Sequence, residues 1–460
     1  MNTKDFKYQN RKKISQHKEI FLSILVAVLL LNNCTPRNLP EKIGFHTAIY
    51  DHQGKLQPWT TWEEALKKEM SWYYHAPIGK SGYPVYFYAT FIDSAYKPYK
   101  TDLIPCTQLG MGILSYLKYW EYTEKLDSLP LNYAISMGEF LVKEASTPDH
   151  GSYPNFPRST GNHEEIPLTK GSQGDAKYGD QVIEPDKGGI AGYAYLQLFE
   201  KTGNAVWMKR AGEVATVLAM NMRNGDELQA PWPFRVDAVT GKYWGERNGN
   251  MAYILRLWDG LIEHGCVQYI TPRDRLWHWI KEVQLKVPES RAQSQWIQFF
   301  EDMTEEDNRN SWAPLELARY LIEKKEKIDP EWKNMAQRCI DFAIKYFAIQ
   351  MPGGVTLMGE QDSDLRPWGG ACSKLGGVSA LFYAAGGGEK YREIALLNLN
   401  WVTYFIDSDG GPAAMCDLKQ WRKGSWQEDC HTDVVHNFID ALNAIPEFRT
   451  IQKKRSIATK

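Results

Sequence analysis

The sequence lacks the features that mark several large classes of protein. Its 460 residues carry a formal net charge of −2, so no excess of positive charge favours binding to nucleic acid. It contains no Walker-type phosphate loop, no G-x-S-x-G nucleophile motif, no heptad repeat and no long basic helix. These absences argue against a nucleotide hydrolase, an α/β-hydrolase and a DNA-binding protein.

Cysteine is scarce, and its spacing excludes a common kind of metal site. None of the seven cysteines forms a C-x-x-C pair, which is the usual ligand spacing of a structural zinc site. We therefore expect the protein to use neither a metal nor any other cofactor.

The N-terminal apolar run is too short to span a bilayer, because a membrane helix needs about 20 apolar residues. It covers Phe21–Leu31, follows a Lys- and Arg-rich stretch, and is followed closely by Cys34. A basic segment before a short apolar segment is typical of an export signal. The sequence predicts a signal peptide over residues 1–33 and, by resemblance to bacterial lipoproteins, lipidation of Cys34. The alternative is a cleaved signal peptide without lipidation. We expect an exported protein anchored on the periplasmic or cell-surface side of a bacterial membrane.

Aromatic residues are abundant, at 13% of the chain with 17 Trp and 25 Tyr. They could form a large core, or a groove that stacks sugar rings.

Helical patterns dominate the chain after residue 58 and occur in pairs. The predicted pairs are 105–123 with 131–146, 187–202 with 205–222, 250–264 with 272–287, 310–325 with 330–347, and 373–385 with 390–407. A sixth pair would combine 429–444 with 60–74, from opposite ends of the domain. Strand patterns are confined to short pieces such as 85–89 and 355–358.

The first helices of successive pairs recur with a nearly constant period. Their starts, at Gly188, Gly249, Asn310, Ser373 and Thr432, are separated by 61, 61, 63 and 59 residues. A constant period indicates a repeated supersecondary unit. Five pairs and a split sixth predict an all-α fold, an (α/α)₆ toroid built from about six helical hairpins with short β pieces in its loops. An open α-solenoid is the alternative.

The loops after the second helices also repeat, because each carries Gly, Pro and aromatic residues just before the next first helix. They include 151–158, 231–235 with 241–244, 353–370 and 410–426. In a ring, all of them would lie at one end, around the N-termini of the inner helices.

These loops, the Gly-rich helix starts and the segment Phe199–Met208 between paired helices resemble the six-hairpin glycosidase superfamily, which includes unsaturated-uronyl hydrolases. The stretch Tyr83–Ala145 is similar to the helical domain of glucuronyl C5-epimerases. The resemblance extends from about Trp59 to Phe448 and implies a toroid that acts on carbohydrate. It matches no catalytic motif residue by residue.

Acidic residues in the loops supply candidates for the two carboxyl groups that a glycosidase needs. Glu246 and Asp307 occupy equivalent places in successive repeats, 61 residues apart, and each could instead favour the start of a helix. The last loop adds three candidate acid/base groups, which are Glu428, Asp429 and His431. His436, five residues after His431, is interpreted as a core histidine.

Aromatic and cationic loop residues are candidates for binding a sugar or a sugar acid. The predicted substrate-binding residues are Tyr153, His163, Trp232, Arg235, Tyr243, Arg247, Trp312, Arg366, Trp368 and Trp426.

The sequence thus predicts a glycoside hydrolase that acts on a uronic-acid-containing oligosaccharide or polysaccharide by carboxylate acid/base catalysis. One alternative is a polysaccharide lyase or uronyl C5-epimerase on the same fold, with Tyr or His as the base. Another is a glycan-binding lipoprotein without catalysis. The expected domains are the signal peptide, a lipidated tether and leading segment (34–57), the toroid (58–449) and a basic tail (450–460). We expect a monomer.

Overall fold

The structure is a computed structural model of the chain. It describes residues 39–75, 78–83, 91–92, 98–100, 105–160, 178–286, 294–296, 308–411, 416–417, 422–423 and 432–449. By compactness the chain divides into Met1–Pro40 and Glu41–Lys460. All the named helices and strands belong to the second unit.

The described helices form two sets that alternate along the chain. One set packs on the outside, and its members are α1 (Trp62–Tyr74), α3 (Leu129–Lys143), α5 (Ala205–Met220), α7 (Ile270–Trp279), α9 (Trp332–Phe347) and α11 (Glu389–Thr403). The inner helices are α2 (Pro105–Tyr122), α4 (Pro185–Thr202), α6 (Ala252–Glu263), α8 (Trp312–Lys324), α10 (Gly369–Ala384) and α12 (Thr432–Ala444). A π-helical stretch, Ile280–Gln284, extends α7.

The inner helices close a ring. Each one packs against the inner helices before and after it, and α12 packs against both α2 and α1. Three side-chain contacts join α6 to α8, and the residue numbers rise along both helices from one contact to the next. They are Arg256 with Glu316, Asp259 with Tyr320 and Glu263 with Lys324. The two helices are therefore parallel, as the repeat requires. The prediction of an (α/α)₆ toroid is confirmed.

Local signals in the sequence set several helix ends. Thr61 caps α1 by accepting a hydrogen bond from the backbone N–H of Glu64, and Asn204 caps α5 in the same manner. Gly203 ends α4 with a φ of 69°, in the left-handed region that glycine adopts without strain. Gly203 and Asn204 together make the short turn between the paired helices α4 and α5.

Glycine also permits the close packing of neighbouring inner helices. A Cβ at Gly189 would lie 2.6 Å from the side chain of Ile254, and one at Gly192 would lie 2.7 Å from that of Leu257. Both distances are too short for real atoms, so the spacing between α4 and α6 depends on these glycines.

Short strands connect the loops at the N-terminal end of the inner helices. One sheet contains β7 (Val182–Ile183), β8 (Arg235–Asp237) and β9 (Tyr243–Trp244), and so joins two successive loops. Another contains β10 (Ala348–Met351), β11 (Val355–Gln361) and β12 (Asp364–Pro367). The backbone N–H of Ser311 donates to the carbonyl of Glu360, which links a third loop. We call this connected layer the collar.

Residues 41–57 belong to the compact unit. They form β1 (Lys42–Ile43), β2 (His46–Thr47), β3 (Ile49–Tyr50) and β4 (Leu56–Gln57). Asn400 in α11 donates to the carbonyl of Leu56, which fixes the segment to the ring. The folded unit thus begins before residue 58.

The core follows the whole circumference of the ring, and inner helices such as α10 are buried on all sides. Among the described residues, none of the helices is both long and apolar enough to cross a membrane.

Candidate functional site

The collar brings two predicted site residues together at its surface. Arg223 Nη1 lies 2.7 Å from Glu246 Oε2, and the guanidinium lies 5.5 Å from the ring centre of Tyr243. A hydrogen bond to Glu246 raises the pKa of the Tyr243 hydroxyl. Tyr243 is 47% exposed, so this cluster is open to solvent.

Other predicted collar residues lie in the core. Trp232 is fully buried, donates its indole N–H to the carbonyl of Leu218 and packs against Trp258 with ring centres 5.8 Å apart. Tyr153 is buried against Phe156. The structure therefore gives Trp232 and Tyr153 a packing role, and leaves neither ring face open to a sugar.

Arg235 is also buried. Its guanidinium lies 3.4 Å from Glu184 and above the rings of Phe234 and Tyr178. In this position it anchors β8 to the start of α4.

The remaining described candidates are spread around the collar. Trp312 begins α8 and is buried, with Lys374 Nζ 4.2 Å from its ring centre. Arg247 is half-buried and donates to the carbonyl of Ser294. Arg366 is exposed and Trp368 is half-buried next to α10.

Several predictions fall outside the described residues. They concern Cys34, His163, Asp307, Trp426, Glu428, Asp429 and His431.

A cavity of about 160 Å³ lies on the axis of the ring, among five of the six inner helices. We call it the axial cavity. Its lining is Leu114, Leu117, Lys118, Glu121, Tyr193, Gln197, Lys201, Tyr253, Arg256, Glu316, Arg319, Glu323 and His436. None of the candidates predicted from the sequence is among these residues.

The axial cavity opens at the end of the ring opposite the collar. The side chains of Glu316 and Arg319 are 1% and 3% exposed, whereas those of Glu121 and Glu323 are 43% and 44% exposed. Glu121 lies in the last turn of α2, and Glu323 lies in the last turn of α8. Because the inner helices are parallel, exposure rises toward their C-terminal ends, where the mouth must lie.

Glu316 is the centre of an ionic network at the cavity floor. It lies 3.1 Å from Arg256 and 3.6 Å from Arg319, and it forms a closer pair with Lys374 of α10. Burial alone would raise the pKa of Glu316, but Arg319, Lys374 and Arg256 together lower it well below its usual range. Glu316 is therefore a fixed negative charge.

A second group connects α2 with α12. Lys118 Nζ lies 3.0 Å from His436 Nε2 and forms an ion pair with Asp440. Arg319 joins this group to the first, since its guanidinium reaches Asn437 and Asp440. Side chains from α2, α6, α8, α10 and α12 thus meet on the axis in one network.

The pKa values of both nitrogen groups in this contact are lowered. Burial lowers the pKa of His436 well below its usual range, and the nearby cations Lys118 and Arg319 lower it further. Burial also lowers the pKa of the Lys118 amine, an effect that Asp440 partly opposes. At neutral pH His436 is an uncharged imidazole within hydrogen-bond distance of an amine, which is an arrangement that can exchange a proton.

The axial residues were missed because the sequence reasoning looked for chemistry in loops. A signal was nonetheless present. Lys118, Arg256, Glu316 and Arg319 each stand within a helix that is otherwise apolar around most of its circumference. Charged residues are almost never fully buried unless they are paired, so isolated charges in such helices predict partners on the ring axis.

Comparison with known proteins supports the fold and gives no closer assignment. No family model and no curated protein sequence matches the chain. Solved structures do match over most of the chain.

Three of these structures are a sugar isomerase, a sugar epimerase and a glycoside hydrolase. A D-mannose isomerase superposes with a TM-score of 0.63 at 12% identity, covering 84% of this chain and 97% of its own. Cellobiose 2-epimerase from Bacillus thermoamylovorans has a TM-score of 0.63 at 12% identity, with coverages of 84% and 98%. A family 76 glycoside hydrolase from a bovine Bacteroides thetaiotaomicron strain has a TM-score of 0.56 at 10% identity, with coverages of 85% and 78%. The chain shares the six-hairpin (α/α)₆ toroid fold with these proteins.

Proposed function

We propose that the protein is a carbohydrate-processing enzyme that transfers a proton at a carbon atom of a sugar in the axial cavity. The observation that carries this proposal is the contact between Lys118 and His436, at 3.0 Å, in the axial cavity, which is lined by polar side chains from several helices. The lowered pKa of His436 leaves its imidazole neutral and able to accept a proton, and the Lys118 ammonium, which forms an ion pair with Asp440, can donate one.

The proposed reaction removes a proton from a carbon next to a carbonyl or carboxyl group of the sugar. The bond electrons move into an enolate, and the cations around the cavity favour its negative charge. Return of the proton to the same carbon from the other side gives an epimer, and return to the neighbouring carbon gives an isomer. Neither step needs an oxidant or a reductant.

The described carboxyl groups of the cavity floor support this proposal over carboxylate hydrolysis. A glycosidase needs one carboxylic acid with a raised pKa to protonate the leaving group. Three cations hold the pKa of Glu316 low, and Asp440 is paired with Lys118 and Arg319. The isomerase and the epimerase among the structural neighbours add support for proton transfer.

Deuterium exchange tests the proposal. The protein would be incubated with aldoses, ketoses and uronates in D₂O, and C–H exchange and new sugars would be followed by NMR. We expect exchange with at least one sugar, and a loss of at least about 100-fold in rate for His436→Gln and Lys118→Met.

The matched control for these variants is His278→Asn, since His278 is exposed on α7. It should keep the wild-type rate. Exchange that survives in both axial variants, with their fold intact by circular dichroism, would exclude the axial cavity as the reaction site.

A glycoside hydrolase acting at the collar is the second candidate. Glu246 is partly exposed beside Tyr243 and Arg223, and a family 76 glycoside hydrolase is among the structural neighbours. Such an enzyme would release reducing ends from a glycan, probed here with uronic-acid-containing polysaccharides, and would leave carbon-bound hydrogen unexchanged. A lyase would instead give an unsaturated product that absorbs ultraviolet light.

We further propose that the chain is exported and anchored to a bacterial membrane through a lipid on Cys34. Support comes from the basic stretch and the apolar run 21–31 that precede this cysteine. Mass spectrometry of the membrane-bound protein should find an N-terminal acylated Cys34, and Cys34→Ala should release the protein from the membrane. An unmodified mature N-terminus at another residue would contradict the anchor.

A further inference from the structure

The axial cavity contains more positive than negative charge. Its lining includes four cations, Lys118, Lys201, Arg256 and Arg319, and three carboxylates, Glu121, Glu316 and Glu323. The neighbouring Lys374 and Asp440 form ion pairs with Glu316 and Lys118, respectively, and cancel one another. Since His436 is uncharged at neutral pH, the described residues leave one positive charge uncompensated.

Two arginines at the cavity floor, Arg256 and Arg319, each have one guanidinium nitrogen without a hydrogen-bond partner among the described residues. We call these nitrogens the spare donors. Arg256 uses Nε for Glu323 and Nη1 for Glu316, and Arg319 uses Nη1 for Glu316 and Nη2 for Asn437. Within the described part of the chain, Arg256 Nη2 and Arg319 Nε are buried and have no hydrogen-bond partner. A buried unsatisfied donor on a charged group is costly, so its retention calls for an explanation.

The two spare donors belong to adjacent positions in the network, because both arginines contact Glu316. Glu316 and Glu323 hold the Arg256 side chain, and Glu316, Asn437 and Asp440 hold that of Arg319. Side chains fixed by such partners lose little conformational entropy on binding a ligand. They form a prepared site for an oxygen anion, for which a guanidinium is the best-suited side chain.

We infer that Arg256 and Arg319 hold the anionic group of a small sugar that carries a single negative charge, and that this sugar enters the axial cavity from the C-terminal end of the inner helices. The inference rests on the proposed function for the sugar itself, while the anion follows from the charge balance and the two spare donors. A sugar carboxylate fits this requirement, whereas a phosphate ester offers the same oxygen-anion chemistry with nearly two negative charges at neutral pH, so the test compares the two.

A lysine at the rim of the axial cavity supports entry from the C-terminal end of the inner helices. Lys201 of α4 lies 2.6 Å from Glu121 of α2 and is partly exposed at the mouth. An arriving anion meets this lysine at the mouth before it reaches Arg319, whose side chain is only 3% exposed. The tyrosines Tyr193 and Tyr253, which also line the cavity with ring centres 6.2 Å apart, give apolar surface for the sugar ring.

Calorimetry at constant ionic strength tests the inference without requiring turnover. The probes are D-glucuronate, D-galacturonate and D-mannuronate, each compared with its neutral parent hexose, together with glucose 6-phosphate. At least one uronate or the phosphate should bind at least about tenfold more tightly than its parent, since a charge-assisted hydrogen bond discriminates by that much or more.

Charge-conserving variants then locate the anion. Arg256→Lys and Arg319→Lys keep the charge but lose the spare donors, and each should weaken binding of the anionic sugar by about tenfold or more with little effect on the neutral parent. The control is Arg275→Lys, because Arg275 is exposed and bonds only Asn224 among the contacts of its described surroundings. If Arg319→Lys does not fold, Arg256→Lys and the rim variant Lys201→Gln decide the result.

The outcomes separate this inference from the proposed function. Binding of an anionic sugar without hydrogen exchange would support the anion site and reject proton transfer. Exchange on neutral sugars, with no preference for any anionic probe, would support proton transfer and overturn the anion site. Unchanged binding of the anionic sugar to both folded arginine variants would also overturn it.

Discussion

The two ends of the ring are built from different structural elements. The collar consists of strands and loops that hydrogen-bond through their backbones, and its polar cluster of Arg223, Tyr243 and Glu246 is open to solvent. The axial cavity is built from helix side chains, and the charged side chains of Glu316, Arg319 and Asp440 at its floor are only 1–8% exposed. Removing one partner of an exposed ion pair costs little, whereas removing one partner of a buried pair leaves an uncompensated charge and costs several kcal/mol. The proposed proton transfer, which depends on shifted pKa values, is for this reason placed on the axis.

The largest expected difference between the two regions is in stability. Glu316→Gln leaves Arg256, Arg319 and Lys374 without their shared carboxylate, and breaking a buried network in this way costs about 3–5 kcal/mol. Urea unfolding should show this loss. A cost below about 1 kcal/mol would mean that Glu316 is as accessible to solvent as the polar cluster of the collar. The axial cavity and the collar would then no longer differ in the burial of their charges.

The next largest effect on stability distinguishes a buried residue of the collar from an exposed one. Trp232→Phe removes both buried volume and the hydrogen bond to Leu218, and should cost about 1–3 kcal/mol. Tyr243→Phe, at an exposed position, should change the free energy of unfolding by less than about 0.5 kcal/mol. If instead Trp232→Phe leaves stability unchanged and weakens binding of a glycan, the sequence-based role of Trp232 in substrate binding gains support.

Lowering the pH should reveal the lowered pKa of His436 as a loss of folding stability. His436 is neutral in the folded protein because burial lowers its pKa well below 6.5, whereas in the unfolded chain it takes up a proton near that pH. The unfolded state then binds more protons, so stability falls as the pH drops below about 6.5, by up to about 1.4 kcal/mol for each pH unit.

The matched measurement is the pH dependence of unfolding in His436→Gln. This variant should lose less stability than the wild type between pH 6.5 and the folded pKa of His436. Identical slopes for the two proteins would show that His436 does not carry a lowered pKa.

The sequence predicted the ring well because its evidence was local and repeated. Helix periodicity gave the pairs, and the period of the starts from Gly188 to Thr432 gave a closed ring, which α12 completes by packing against α2. Helix ends differ by a few residues: α6 begins at Ala252, whereas the pattern places it at 250. Such shifts are usual, because the terminal turn depends on tertiary contacts.

The site was harder to predict because it depends on contacts between distant residues. Lys118 and Asp440 are 322 positions apart, and only ring closure brings them together. Their helices look like core helices in sequence, so the charges within them were not among the site candidates, and His436 was interpreted as a core residue. His436 is largely enclosed, with 18% of its side chain exposed, and it also lines the axial cavity. Loops offered more acids and aromatics, yet of these Trp232 and Tyr153 are used for packing.

A small effect on stability is also expected at Glu246, and the activity of a variant at this position decides most sharply between the two regions. Glu246→Gln removes one partner of a partly exposed ion pair with Arg223, which should cost no more than about 1 kcal/mol. Arg223→Gln is the matched control, because it breaks the same pair while keeping the carboxylate. If the reaction takes place on the axis, both variants retain the wild-type rate of hydrogen exchange. A loss of glycan cleavage of about 100-fold or more in Glu246→Gln, with Arg223→Gln still active, would instead identify Glu246 as an acid or base. Chemistry would then belong to the exposed end of the ring, and the axial charges would be left with a structural role.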